Sequence, residues 1–419
     1  MPAIFRSWVV LCATLASVSA ADWPCWRGPL GTGQTPADWA VPQTLPAEPK
    51  VVWRVAIGAG FASPIVSQGK VFHLDCLENQ EVVHAVEAGT GRELWHVRLD
   101  SAFLDAQGAA GPRCNAVTDS DRIYVQSCRG ELQCLTATEG TVRWHVNFVR
   151  DFGAAFIGEK GAAVGAVRHG YTGSPLVDGD RLFVTVGGTN GASVVCFDKK
   201  TGQVRWKSQN DVAGYAPPVL ATLAGARQLV VFTAEAVLGL NPTNGALLWR
   251  VTVKTSFGRH VTTPVIHGDI VMVSSHQAGL IGIKVAQRET GFTAEKAWVA
   301  KDSAINFASP VLFGDYLVGP GPGKKLVCVE ADTGTQTWAK DAFFTTSPGS
   351  TYAGLIGMSP NVLTLTDSGV LVLFAADGKE YREISRAQVC GKNWCNPAYA
   401  DGRLYLRDAR ELWCVQLVP

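Results

Sequence analysis

The sequence predicts an all-β protein, an eight-bladed β-propeller of four-stranded antiparallel blades, and three observations carry that prediction. A unit of four short apolar runs, separated by Gly- and Asp-rich turns, recurs along the chain. Within most units a Thr-Gly or Asn-Gly turn is followed at near-constant spacing by a Trp. The last unit stops one strand short, and the missing strand stands at the head of the series, Val51 to Ile57 with Trp53.

Each unit opens on a small residue, a polar residue and often Pro, as in Ala62-Ser63-Pro64, Ala308-Ser309-Pro310 and Cys395-Asn396-Pro397. Unit starts align at Ser63, Asn115, Ser174, Pro217, Thr263, Ser309, Gly354 and Asn396. The turn-and-Trp signal follows in Thr90-Gly91 to Trp95, Glu139-Gly140 to Trp144, Thr201-Gly202 to Trp206, Asn244-Gly245 to Trp249 and Thr333-Gly334 to Trp338. Gly supplies the positive φ that such tight hairpins need. Trp298 follows a longer, irregular version, and Tyr381, after Asp377-Gly378, is expected to take the Trp position in another unit. A sheet completed by strands from both termini closes the ring and removes the open edges at which sheets aggregate.

Ahead of the ring, Arg6 precedes an apolar run ending in Val18-Ser19-Ala20, which reads as a secretory signal over residues 1–20. Residues 21–50 form a lead-in and 51–419 the propeller. This places the protein across the inner membrane, in the periplasm or cell envelope, and a monomer without a membrane span is expected. With 37 Lys+Arg against 36 Asp+Glu, the chain lacks the basic excess of an electrostatic nucleic-acid binder.

Export permits disulfides. Cys134, Cys196, Cys328 and Cys414 share one third-strand position that elsewhere holds Ala85, Gly239, Gly282 or Leu373, so they read as small buried fillers. Cys390 and Cys395 are the preferred bridge, closing a short local loop. Cys76 with Cys128, and Cys25 with a channel-mouth cysteine, are further pairings that the spacing leaves open.

The repeat phase also singles out a candidate site. Phe61, Tyr215, Phe307, Tyr352 and Trp394 share one column, with Arg113 in a sixth unit and Tyr171 one residue out of phase in a seventh. These side chains are expected at one mouth of the channel, where an aromatic rim beside a cation suits a planar or apolar ligand, or a partner's side chain. Packing between blades is the competing reading. Next to them Ser63, Asn115, Ser174, Thr263, Ser309 and Asn396 form a polar ring suited to capping strand-end backbone groups. Two non-repeating loops, Ser101 to Pro112 and Arg150 to Gly170, enter at the same face; the second includes Glu159, Lys160, Arg168 and His169.

The Ala-x-Thr-Gly turn with its spaced Trp resembles the repeat of the pyrroloquinoline quinone (PQQ)-like propellers. The Asp22-Trp23-Pro24-Cys25-Trp26-Arg27-Gly28-Pro29 opening and the Tyr399 to Arg407 ending resemble exported propellers of planctomycete type. The resemblance implies either an envelope scaffold, as in the outer-membrane assembly propeller lipoprotein, or a quinoprotein alcohol or aldose dehydrogenase using PQQ and Ca²⁺. The residues favour the scaffold, binding an envelope protein or a small ligand. No Gly-x-Ser-x-Gly elbow, His-Glu-x-x-His helix or adjacent Cys-Cys pair occurs, and Gly319 to Lys325 lacks the Ser/Thr of a phosphate loop. No catalytic residue and no metal ligand is assigned on this reading. Arg113, Arg259, His260 and Trp394 are the groups that a quinone site would have to recruit.

Overall fold

A computed structural model describes residues 21–104, 108–158, 163–345 and 351–418. The expected export signal, residues 1–20, lies outside the described residues, as do Glu159 and Lys160 of the second loop. Eight four-stranded sheets follow one another along the chain, each built from consecutive antiparallel strands. The exception is the last sheet, where Ala398–Ala400, Arg403–Arg407 and Glu411–Gln416 are completed by the N-terminal strand Lys50–Ala56, with Val51 opposite Val415 and Trp53 opposite Cys414. The closing strand thus begins one residue earlier than its expected start at Val51.

The innermost strand is three residues long in blades 1, 2 and 3 but five in blade 4 and six in blade 7, while the second and third strands are almost wholly buried between blades. Outer strands alternate between exposed and covered positions, as in Glu93–Ser101, because one face packs on the next blade and the other meets water. All eight blades carry a bulge at the same place between the third and fourth strands, for instance between Cys134 and Leu135 and between Cys328 and Val329. The extra residue bends the outer strand and sets each Trp directly across from the small third-strand position. Trp144, Trp206 and Trp338 face Cys134, Cys196 and Cys328 in this way, and Trp249 and Trp298 face Gly239 and Gly282. A Cβ on Gly239 would come within 2.1 Å of the Trp249 indole, so smallness is required there. In blade 7 the position opposite Leu373 is Ser385, not Tyr381. Tyr381 lies before that outer strand, and its ring packs 5.8 Å from Trp338 of blade 6 and 5.4 Å from Phe374.

Six of the Trp residues also tie adjacent blades together. The indole N–H of Trp53 donates to Ala88 O, Trp95 to Ala137 O, Trp144 to Lys199 O, Trp206 to Pro242 O, Trp298 to Ala331 O and Trp338 to Asp377 O. Each acceptor lies at the third-strand turn of the following blade, so a single side chain fills the seam and satisfies a buried or half-buried turn carbonyl.

The lead-in crosses the channel end opposite the inner-strand starts. Trp23 pairs with Val66, and Thr35 N–H donates to Gly357 O while Gly357 N–H donates to Gly33 O, so the segment spans from blade 1 to blade 7. No helix among the described residues is long and apolar enough to cross a membrane.

Candidate functional site: the channel mouth

Around the starts of the inner strands lies a cavity of about 380 Å³. Because consecutive blades are neighbours, the walls divide by blade. Phe307, Tyr352, Trp394 and Phe61 come from blades 6, 7, 8 and 1 and form an unbroken aromatic arc. Trp394 is its centre, stacked on Tyr352 at 6.1 Å and 13°, and 5.9 and 5.8 Å from Phe61 and Phe307. The facing arc, from blades 2 to 5 and their loops, carries Arg113, His169, Thr172, Tyr215 and Arg259. At the junction of the arcs the Arg113 guanidinium lies 5.4 Å over the Phe61 ring.

The second loop delivers His169. A short helix, Phe148–Phe152, starts where the Asn147 side chain accepts from Val149 N–H and Arg150 N–H, and ends at left-handed Gly153. The chain then returns through Ala166–His169, pinned by Ala166 N–H to Ala213 O and by the Tyr215 hydroxyl to Gly165 O. His169 and Tyr215 therefore face each other, rings 6.2 Å apart. Two of the loops flanking the mouth meet there, as Arg168 and Arg259 both lie over the Phe257 ring, at 5.0 and 5.1 Å.

Trp26 closes the floor. Its indole N–H donates to Thr263 Oγ1 at 2.8 Å, and the ring also borders a second cavity of about 740 Å³ at the far end of the channel. Beside it Arg27 is buried, donating to Pro310 O and Thr32 O; burial lowers its pKa to about 10, which leaves it charged at neutral pH.

Of the residues expected at the mouth, Phe61, Arg113, Tyr215, Phe307, Tyr352 and Trp394 are brought together there. Tyr171 is not among the lining residues. Its one-residue offset turns the ring into the blade 2–3 core, edge-on to Phe148 at 5.0 Å, with the hydroxyl on Ala155 O, and Thr172 takes the lining position. The polar residues link blade to blade. Asn396 N–H donates to Ser63 Oγ, Ser63 N–H to Asn115 Oδ1, Asn115 N–H to Ser174 Oγ, and Thr263 N–H to Ser309 Oγ. Much of their hydrogen-bonding capacity is thereby spent on capping strand ends.

Cys390 and Cys395 are not joined in the structure. The Asn393 side chain holds the intervening turn, accepting from Cys395 N–H and donating to Cys395 O. The Cys395 thiol points across the seam to Phe61 O while that of Cys390 stays at Gly391 O. Cys25 Sγ lies against Gly28 O beside the far cavity, and Cys128 Sγ donates to Gly111 O. His260 does not reach the mouth as a working base. It is fully buried, stacked on Phe232 at 4.2 Å and 8°, and burial pulls its pKa to about 4, so its Nδ1 donates to Thr233 O from a neutral ring.

Trp26 and His169 were not assigned to the mouth by the repeat phase, because neither belongs to a repeat. The unusual density of Trp and Arg at the head of the lead-in is the signal that would have pointed to Trp26. A second constellation also escaped the sequence. His73, His84 and His96 stand in one cross-strand row of blade 1, with Glu93 and Asp75 hydrogen-bonded to His84.

Solved structures share the fold at low identity. BamB from Moraxella catarrhalis is 17% identical, covering 88% of this chain and 98% of that one, with a TM-score of 0.56. The computationally designed Ika8 protein is 8% identical over 88% and 100%, with a TM-score of 0.58. Quinohemoprotein alcohol dehydrogenase from Comamonas testosteroni is 14% identical over 94% and 80%, with a TM-score of 0.48. No curated protein matches the chain. The sequence pattern of the PQQ_2 family matches residues 78–340, more than half of the 419. The chain therefore belongs to that family of PQQ-like propellers, described as outer membrane protein assembly factor BamB.

Proposed function

We propose that the protein is a non-catalytic binding scaffold of the periplasm or cell envelope, which seats a group from a protein partner or a small ligand in the mouth. The observation that carries this is the division of the mouth into an aromatic arc around Trp394 and an opposing arc bearing Arg113, Arg259 and His169. Such a wall pair holds a flat or apolar group on one side and meets negative charge or carbonyl oxygens on the other. Family membership supports the scaffold reading, since the family's description names an assembly factor.

The alternative, a PQQ-dependent dehydrogenase, fits the residues poorly. Calcium bound beside a quinone calls for carboxylate oxygens, and a dehydrogenase for a carboxylate base. Among the described residues no Asp or Glu lines the mouth.

The test is capture from envelope extracts with the full chain and with Trp394→Ala, Phe307→Ala and Arg113→Ala forms whose folding is checked by circular dichroism. Loss of the same captured species in all three supports the mouth. Unchanged capture by folded variants refutes it. A quinone absorbance change on adding PQQ and Ca²⁺ to the purified protein would turn the assignment to the oxidoreductase.

A further inference from the structure

We propose that His84, Glu93 and His96, none of which lines the mouth, form a binding site for one zinc-class divalent cation on blade 1. Three consecutive strands, Lys70–Leu77, Gln80–Glu87 and Glu93–Ser101, set His73 opposite His84 and His84 opposite His96. Residues directly opposed on neighbouring strands point to the same face. Glu93 would ordinarily share a face with Trp95, two positions on. The bulge that pairs Val86 with Glu93 and Ala85 with Trp95 inserts Leu94 and breaks that parity. Glu93 is thereby transferred to the histidine face, while Trp95 keeps its place in the seam. The same bulge recurs in every blade, but among the described residues only this one delivers a carboxylate between two imidazoles.

The geometry suits a metal. Glu93 bridges the two rings, Oε1 at 2.7 Å from His84 Nδ1 and Oε2 at 3.2 Å from His96 Nδ1. All three donor atoms lie within 4.8 Å of one another. Zinc takes imidazole nitrogen and carboxylate oxygen at about 2.0–2.2 Å, which in a tetrahedron separates donors by roughly 3.3 Å, so small side-chain rotations close the set. Two imidazoles and one carboxylate also match the borderline character of zinc better than that of calcium or magnesium.

The surroundings of His84 are those of an oriented ligand. Its Nε2 lies 3.1 Å from Asp75 Oδ1, and the other Asp75 oxygen accepts Gly58 N–H at 2.7 Å. Asp75 is only 3% exposed, so it is fixed by burial as well as by hydrogen bonds. Without a metal, Nδ1–H donates to Glu93 Oε1; a bound cation takes the place of that proton while the Asp75 carboxylate keeps the one on Nε2, the arrangement by which outer carboxylates orient metal-bound histidines. His73, stacked on His84 at 4.6 Å and 3°, blocks rotation of the ring from the other side. Glu93 and His96 are exposed, which gives the ion a path in and leaves a fourth position for water or a partner's ligand. The comparable pair on blade 2, His145 with Glu131 at 2.7 Å, belongs to no such group of three among the described residues.

The experiment titrates the full chain, stripped with a chelator, with ZnCl₂ at neutral pH by isothermal calorimetry, with Co²⁺ absorption as a second readout of the ligand set. One equivalent is expected to bind and to raise the thermal midpoint. Glu93→Gln and His96→Ala, both at exposed positions, should each weaken binding at least about tenfold and abolish the thermal shift. His145→Ala should leave both unchanged. Absence of zinc heat, undiminished affinity in the Glu93→Gln, His96→Ala double variant, or equal weakening by His145→Ala overturns the site.

Discussion

Trp249 donates its indole N–H to Gln228 Oε1 at 2.6 Å within its own blade, whereas six other Trp residues donate to a backbone carbonyl of the following blade. The difference has a local cause. Blade 5, which follows, joins its last two strands, Gly279–Arg288 and Gly291–Ala300, by an extended hairpin in place of the Thr-Gly turn that elsewhere presents the acceptor. With that acceptor gone, a buried side-chain amide stands in.

Replacing Gln228 by Leu should therefore cost about 1–3 kcal/mol, because a buried indole N–H loses its partner. The same substitution in a Trp249→Phe background should cost distinctly less. Urea denaturation of the four proteins gives the coupling energy, and a coupling near zero would show that the bond contributes nothing.

Gly334 sits at φ +73 with its Cα against Trp298, and an added Cβ would come within 2.4 Å of the ring. Gly314 has φ +51 but open space around it. Gly314→Ala should cost about 1 kcal/mol from backbone strain alone. Gly334→Ala should cost about 3 kcal/mol or more, as strain and overpacking combine. Equal losses in the two variants would contradict the seam as the source of stability.

Glu81 is fully buried and accepts Cys128 N–H through both carboxylate oxygens, at 3.1 and 3.3 Å. Burial raises its pKa from 4.5 to about 7, opposed by the hydrogen bonds from Cys128 and the charge of Arg113. The folded state thus binds this proton more tightly than the unfolded chain. Its contribution is fully present below pH 4.5 and declines as pH rises through about 7. Glu81→Gln keeps an acceptor for Cys128 but cannot titrate. The stability difference between wild type and variant should change by on the order of 3 kcal/mol between pH 4 and 8, which thermal unfolding across that range measures. A constant difference would rule the shift out.

Cys134, Cys196, Cys328 and Cys414 have no exposed surface. Burial raises Cys196 to about 12 and Cys328 and Cys414 to about 11, so almost no thiolate exists at neutral pH. A thiol reagent should modify the partly exposed Cys76 in the native protein and leave these four untouched until denaturant is added. Peptide mapping by mass spectrometry reads the order, and early labelling of Cys196 or Cys328 would contradict their place opposite a Trp.

Much of the fold was legible because a propeller is assembled from local units. Turn glycines, alternating apolar runs and, in all units but the seventh, one Trp lie within about forty residues of each other and repeat in phase, so the split last blade followed by subtraction. The mouth column was legible for the same reason: Phe61, Tyr215, Phe307, Tyr352 and Trp394 hold one position in five of the eight repeats. Where a side chain leaves the repeat phase by a single residue, the reading fails. Tyr171 turned into the core, and Tyr381 fell outside the register that Ser385 occupies.

By itself, then, the sequence determined the number of blades, their closure by an N-terminal strand expected at Val51 to Ile57 and the column of aromatic positions, all of which follow from periodicity. Only the tertiary structure decided that the aromatics gather on blades 6 to 1 opposite Arg113 and Arg259, and that Trp26 enters the channel from the lead-in. It also decided that Cys390 and Cys395 point apart and that a bulge turns Glu93 toward His84 and His96. Periodicity specifies which face a residue occupies within its own strand. Blade order, loop return and a one-residue slip set which faces then meet, and those are properties of the closed ring.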